Sequence, residues 1–421
     1  MTVFSPVSGA RLAVLGASPM REAALAEWRA MGVRVLLLDG HSPARYDLLA
    51  DVFHPVDTRD GSADVDRIAE LVRGCDGVTT LSDASQATAA RIAGRLGLPG
   101  VGPERAEVAR SKWRQRELLS KAGITVPCWR RVTGPDDIGE FYAETTGRAV
   151  LKPVDSAGSA GVLAVGGEAE ARRQWPVVRS LSPSRTAVIE EFLPGREVCV
   201  DAVIVSGRPV FVSVVDCEYG GGQGFIATSA KYASRSPDHD AAEARLAAIA
   251  AALKLADGLV HAEFKIDGDR WTPLEFALRP GGALVPELTR RVGGLDLYRA
   301  QALIALGSAA ELPGAAETPA CAPYAQVRFL VGTGLVRRFV PPATVVSGLP
   351  DVRLVSQFVG PGARVRTPVS EEGRAGCVAG WGDEPRALDE QLRVAVERLG
   401  VAMGLTVEAP PAPAEADVAA L

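Results

Sequence analysis

The sequence predicts an α/β protein of several domains, and three features of the chain support that expectation. Apolar strands alternate with helical segments over residues 11–96, a loop of small residues follows a strand at 149–161, and a hairpin at 261–279 holds two glutamates and an arginine at close spacing. With 421 residues the chain exceeds one small core, and about 100–200 residues per domain gives two to four domains. Hydrophobic residues make up 47% and charged residues 23%, the balance of a soluble globular protein. A net charge of −5 offers no broad basic surface, which argues against a nucleic-acid partner. No apolar run reaches the roughly 18 residues that span a bilayer, and the N-terminus lacks a basic region followed by an apolar core, so no membrane role and a cytoplasmic location are expected. Cys75, Cys128, Cys199, Cys217, Cys321 and Cys377 are scattered without a CxxC pair. They indicate neither a disulfide framework nor a zinc site and are expected to be reduced and mostly buried.

The elements follow in order. RLAVLG at 11–16 is an apolar strand ending in Gly16, ASPMREAALAEWRAMG reads as a helix, and VRVLLLDG at 33–40 as a second strand. A helix at 63–73, the strand GVTTLS at 77–82 and a helix at 85–96 continue the alternation, which implies a parallel sheet covered on both faces. GASPMR lacks the second and third glycines of GxGxxG, so the turn is read as structural rather than as a dinucleotide site, and Asp39 at the end of the second strand does little without them. The segment from Leu98 turns into a basic helix and ends at Pro127, a domain boundary. AVLKPVDSAGSAGVLAV at 149–165 is a strand ending at Lys152 and Pro153, a loop, and another strand. Its small residues from Ser156 through Gly158 and Ser159 to Gly161 let backbone N–H groups approach an anion, and Lys152 adds a fixed positive charge. No GKS or GKT follows, so this is not a Walker loop, and taken alone it also suits a plain hairpin turn.

The next strand carries Glu190 and Glu191, and Glu197 follows the Pro194–Gly195 turn. Carboxylates there suit an adenine amino group and a ribose hydroxyl, or else are solvated edge charges. CEYGGGQGFIATSAKY at 217–232 is either a substrate loop, with Tyr219, Gln223, Lys231 and Tyr232 as contacts, or a mobile surface loop. In HAEFKIDGDRWTPLEFALRPGG at 261–282, Glu263 and Glu275 lie twelve positions apart in runs of alternating apolar and polar residues joined by Asp267, Gly268 and Asp269. A tight turn there would project both carboxylates from one sheet face. Such hard oxygen ligands suit Mg²⁺, and Arg279 would add a bidentate cation for phosphates. An isolated acidic hairpin is more ordinarily a solvated face. Gly281 and Gly282 are further candidate substrate positions, while His261 is read as structural rather than as a general base.

The order of these pieces, from the strand–helix opening through LKP, the Ser/Gly loop and EEFLPGRE to HAEF and LEFALRPGG, resembles the ATP-grasp superfamily over roughly residues 10–310. The tail at 360–388 is similar to the extra C-terminal lobe of the branch that contains L-amino acid ligases. The resemblance implies a Rossmann-like domain at 1–108, an ATP-grasp small lobe at 109–192 and large lobe at 193–312, a C-terminal α+β subdomain at 313–408 and a flexible tail at 409–421. It implies ATP and Mg²⁺ as cofactors, with Mn²⁺ able to substitute, and small-molecule carboxylate and amine substrates joined through an acyl phosphate. By the same resemblance Lys112 and Lys152 hold nucleotide phosphates, and Ser156 to Gly161 form the loop that closes over them. Glu190, Glu191, Phe192 and Leu193 form the adenine hinge, Glu197 meets the ribose, Glu263 and Glu275 are metal ligands, and Arg279 acts on the acyl phosphate. Ala277 stands where the superfamily's E-x-N-x-R pattern has asparagine, which leaves the number of metal ions open. A purine-pathway or carboxylase-type substrate and a non-catalytic nucleotide-binding module are the alternatives. Oligomeric state is open, although members of the family are commonly homodimers.

Overall fold

The computed structural model describes residues 6–16, 22–40, 49–220, 224–312 and 320–408. Ala17, Ser18, Gln223 and the tail expected at 409–421 lie outside them. Strands Arg11–Leu15, Arg34–Asp39 and Gly77–Thr80 pair in parallel, and Val52–Pro55 adds an edge beyond Arg34–Asp39. Alternation within the strands feeds two cores: Leu12 and Val14 pack with Trp28 on one face, Ala13 and Leu15 with Ile68 and Ile92 on the other. The edge strand escapes sequence reading because VFHP is short and only half-buried. Gly16 has a φ of 74°, and a Cβ there would lie 2.8 Å from Ser85 Oγ, so this turn needs glycine for close packing.

The basic segment after residue 98 is two helices, Pro103–Ala109 and Lys112–Lys121, and the break at Ser111 puts Lys112 in a first turn. The small lobe is an antiparallel sheet in the order Trp129–Val132, Ala187–Glu191, Ala149–Pro153, Leu163–Val165. Beyond it an eight-stranded antiparallel sheet runs from the hairpin Arg270–Ala277 and Gly258–Asp267 through Arg196–Val205, Arg208–Gly220 and Ile226–Ala233. The C-terminal segment then adds Tyr324–Leu330, Gly376–Gly382 and Val352–Gln357 to this same sheet. It also builds its own core around Leu388, Leu392 and Leu399 of helix Pro385–Met403.

The large sheet has two unlike faces. Val198, Val200, Ala262 and Phe264 pack beneath Leu246 and Ile249 of helix His239–Leu253. With a period of two, Cys199, Asp201, His261 and Glu263 take the opposite face. Helix Leu297–Ala305 returns to the N-terminal sheet, where Trp28 Nε1 donates to Tyr298 O at 2.7 Å and Gln301 Nε2 to Thr80 O at 2.8 Å. Among the described residues no helix is long and apolar enough to cross a membrane.

The turn that joins the lobes is sterically tight. Gly195 has a φ of 97°, and a Cβ there would lie 2.1 Å from Ile266 O. Gly195→Ala is expected to lower stability by about 2–5 kcal/mol, summing a left-handed backbone cost of about 1–2 and an overpacking cost of about 1–3 kcal/mol. The urea unfolding midpoint checks this, and an unchanged midpoint would contradict the close approach.

Candidate active site

The site begins with strand register. Glu263 and Glu275 are direct cross-strand partners, as are His261 and Ala277, and a bulge falls between Glu263 and Phe264. Behind them Phe264 and Trp271 stack edge-on, with ring centroids 5.4 Å apart in the core. This apolar backing turns both carboxylates to one side. The pair is partly relieved by cations: Lys112 Nζ lies 2.8 Å from Glu275 Oε2, and His261 Nε2 lies 3.7 Å from Glu263 Oε1. Burial, and next the Glu275 charge, push the Glu263 carboxyl up to about 7. For Glu275 burial acts upward too and is the largest single influence, but Lys112 and Lys152 together hold the group below its usual value.

Helix Lys112–Lys121 is fixed to this hairpin by its own side chains. Gln115 accepts from Phe276 N at 3.0 Å and donates to Phe276 O at 2.9 Å. Lys112 also donates to Ser156 O at 2.9 Å, which ties the Ser/Gly loop to the carboxylate pair. One turn on, Arg116 Nε donates to Glu190 Oε1 at 2.7 Å, while Lys152 Nζ lies 2.7 Å from Glu190 Oε2. All three side chains are buried. Burial would raise the Glu190 carboxyl, but Arg116 and Lys152 hold it down at about 2; burial pushes the Lys152 ammonium down against the upward pull of Glu190.

Arg279 emerges just beyond the second strand. Asp83 of the N-terminal domain accepts from its Nε at 2.7 Å and from its Nη2, and Pro280 O accepts from Nη1 at 2.6 Å. Gln86 braces the pair by donating to Asp83 Oδ1 at 2.9 Å and accepting from Leu278 N at 3.0 Å. Sequence reading missed Asp83, Gln86, Gln115 and Arg116. Asp83 does leave one signal, its place just after the carboxyl end of a parallel strand, where ligand sites of such sheets gather. In the Ser/Gly loop, Gly158, Ser159 and Gly161 all have positive φ, and Gly158 O accepts from Glu371 N at 2.9 Å.

The remaining candidates divide. Glu190 is corrected: with both oxygens on Arg116 and Lys152, its side chain is not free to read adenine. Glu191 is partly engaged as well, accepting from Cys128 N at 3.0 Å, and Phe192 lies under the Arg148 guanidinium at 4.2 Å. Leu193 is half-buried beside them. Glu197 stays on the site face, its Oε2 3.3 Å from Lys265 Nζ, with burial pushing its carboxyl up. Lys231 is corrected because register aligns it with Asp216, Val198 and Phe264, on the face opposite Glu263, where it pairs with Glu218. Tyr232 shares the site face, yet it is packed in the core with Cys199, Val285 and Leu288. Gly281 N donates to Asp201 Oδ1 at 2.7 Å, and a Cβ there would lie 2.8 Å from His261 Nδ1; around Gly282 there is open space. The cysteines are less buried than expected, since Cys128 and Cys321 are exposed and Cys217 half-buried.

The donor set fits a hard divalent cation. Two opposed carboxylates, with Glu263 driven toward neutrality by burial and then by Glu275, are only partly compensated by Lys112, and a cation between them would supply the rest. Lys112, Lys152 and the loop backbone lie on the side of the small lobe, as phosphate groups require.

Glu190→Gln should cost about 3–5 kcal/mol, because it leaves Arg116 and Lys152 buried against a neutral amide. The folded value of about 2 lies below the unfolded 4.5, so this stabilisation is fully present above pH 4.5 and is lost as pH falls toward 2. The variant's deficit in unfolding midpoint should therefore be large at pH 7 and smaller at pH 3. A deficit that does not shrink would contradict the ionic role.

Comparison with known proteins agrees with this geometry. Residues 147–287 match the ATP-grasp domain family. The chain is 27% identical over 215 residues to a D-alanine–D-alanine ligase of Magnetococcus marinus, covering 47% of this chain and 68% of that protein. It is 28% identical over 280 residues to the alanine–anticapsin ligase of Bacillus subtilis, covering 59% of this chain and 57% of the ligase, less than two thirds of its length. The fold superposes on the crystal structure of an L-amino acid ligase from Bacillus licheniformis with a TM-score of 0.74 and 19% identity, over 95% of this chain and 99% of that one. The family match spans the stretch from the Ser/Gly loop to the carboxylate hairpin, so residues 147–287 are an ATP-grasp domain by this comparison, and ligases are among the relatives of the chain.

Proposed function

We propose that the protein is an ATP-dependent carboxylate–amine ligase that joins amino acids or related small molecules through an acyl phosphate, releasing ADP and phosphate. The observation that supports it most is the opposed Glu263–Glu275 pair, with Lys112, Lys152 and Arg279 arranged around it. Mg²⁺ held by Glu263 and Glu275, with Mn²⁺ able to substitute, would screen the phosphate charge that otherwise repels a carboxylate nucleophile. Lys112 and Lys152 add fixed positive charge where the phosphates would lie, and Glu190 and Ser156 keep those ammonium groups in place.

The reaction then follows from balance of charge and atoms. A substrate carboxylate oxygen attacks the γ-phosphorus, an O–P bond forms, and the bond to ADP breaks. The amine nitrogen attacks the resulting carbonyl carbon, phosphate departs with the C–O bonding pair, and the nitrogen loses a proton. Arg279, oriented by Asp83, stabilises the oxygen anion of the tetrahedral intermediate. Exclusion of water falls to the Ser156–Gly161 loop, with its left-handed turns at Gly158, Ser159 and Gly161, and to the Glu371 segment bonded to it. Retention of all these charged groups favours catalysis over a passive nucleotide-binding role.

Phosphate release with Mg²⁺, ATP and a panel of amino acids, singly and in pairs, tests the proposal; one pair should stimulate synergistically, and no release with any pair by folded protein would refute it. Glu275→Gln should cut turnover by at least about 100-fold while ATP binding persists in part. Asp83→Asn should lower kcat by about 10–100-fold with little change in KM for ATP, since it misplaces Arg279 without touching the nucleotide groups. A change confined to KM would overturn the positioning role.

A further inference from the structure

His261 has no part in the reaction above, yet its setting is that of a ligand. It is buried, and its Nδ1 lies 3.1 Å from Asp201 Oδ2 while Asp201 Oδ1 accepts from Gly281 N at 2.7 Å. With Nδ1 on Asp201, the imidazole directs Nε2 toward Glu263 Oε1, 3.7 Å away, a position in which either a proton or a metal cation can lie between the two groups. Register adds a third donor, because Cys199 is the cross-strand partner of Glu263 just as Asp201 is of His261. Donor atoms of Cys199, His261 and Glu263 all lie within 4.8 Å of one another. Ligands of a tetrahedral Zn²⁺ site stand about 3.3–3.8 Å apart, given metal–donor bonds of about 2.0–2.3 Å, so small side-chain adjustments suffice. A metal-bound histidine ordinarily carries a carboxylate on its other nitrogen, which is the place of Asp201. The Cys217 thiol lies 3.0 Å from that of Cys199 and increases the softness of the site.

We infer that Cys199, His261 and Glu263 form a binding site for a soft divalent cation of the Zn²⁺ type, with the fourth coordination position open. The site differs in donor chemistry from the all-oxygen Glu263–Glu275 pair and shares Glu263 with it. A cation bound here withdraws Glu263 from Glu275, so Zn²⁺ inhibits Mg²⁺-dependent turnover; this consequence alone rests on the proposed ligase reading. The sequence hides the site, since its ligands are 62 and 2 residues apart and only strand pairing assembles them.

Co²⁺ added to the reduced full-length protein under anaerobic conditions provides the test. The wild type should show a thiolate-to-cobalt charge-transfer band with the visible d–d bands of four-coordinate Co²⁺, both abolished by stoichiometric Zn²⁺ and weakened only by a large excess of Mg²⁺, which competes for Glu263 alone. Cys199→Ser and His261→Gln should each lose the signal, and circular dichroism keeps a folding defect in one from deciding the matter, because the other reads the same site. A variant lacking the exposed thiols, Cys128→Ser with Cys321→Ser, should retain it. Asp201→Asn should weaken Zn²⁺ binding by about 10–100-fold. No charge-transfer band in the wild type, or a band that survives Cys199→Ser, would overturn the site. The optical signal needs no turnover: a band without phosphate release sinks only the ligase reading, and phosphate release without a band sinks only the metal site.

Discussion

Two carboxylates face each other across the Gly258–Asp267 and Arg270–Ala277 strands, and the fold is organised around keeping that costly arrangement in place. Unit charges about 5 Å apart repel by about 3 kcal/mol at an effective dielectric constant of about 20. Burial and then this repulsion raise the Glu263 carboxyl, and Glu275 is paired with Lys112. Nothing local relieves it fully. The hairpin is held because Ala262, Phe264 and Phe276 on its reverse side are buried under helix His239–Leu253, so the apolar core supplies the stability that the charged face consumes.

From that pair the remaining contacts radiate into every part of the chain. Lys112 and Gln115 tie the hairpin to the start of the small lobe, Arg116 extends the tie to Glu190 and Lys152, and Asp83 brings the N-terminal domain onto Arg279. The C-terminal segment meets the Ser/Gly loop through Glu371 and Gly158, and buried Arg374 fixes that turn by bonding to Glu371 O at 2.9 Å and stacking over Phe329 at 3.8 Å. Charged groups from four regions thus converge on one site, and each is oriented by a partner from another region. Such mutual orientation is what transition-state electrostatics requires, since donors must be fixed before charge develops.

How much of this was legible in the sequence depended on distance along the chain. The Glu263–Glu275 pairing could be read because strand period and the Asp267–Asp269 turn fix register within twenty residues. The βαβ opening was readable for the same reason, apart from its short edge strand. Arg279 was recognisable, but its partner Asp83 lies 196 residues away, and Arg116 meets Glu190 across 74, separations that only the fold closes. Glu190 illustrates the cost: its strand position suggested a nucleotide contact, whereas burial between two cations makes it a support. Lys231 failed through alternation, because one step along a strand reverses the face. Cys199 lies in no motif and His261 was read only as structural, since the cluster forms only when strands Arg196–Val205 and Gly258–Asp267 align.

The central claim is that the paired carboxylates and their cations activate a carboxylate as its acyl phosphate. Amino acids bearing ¹⁸O in their carboxyl groups, supplied with ATP and Mg²⁺, test it most directly, with the mass of the released phosphate as the readout. The account predicts that each amide formed delivers one ¹⁸O atom to phosphate, with ADP as the nucleotide product. Amide formation with unlabelled phosphate, or with AMP and pyrophosphate in place of ADP, would contradict it.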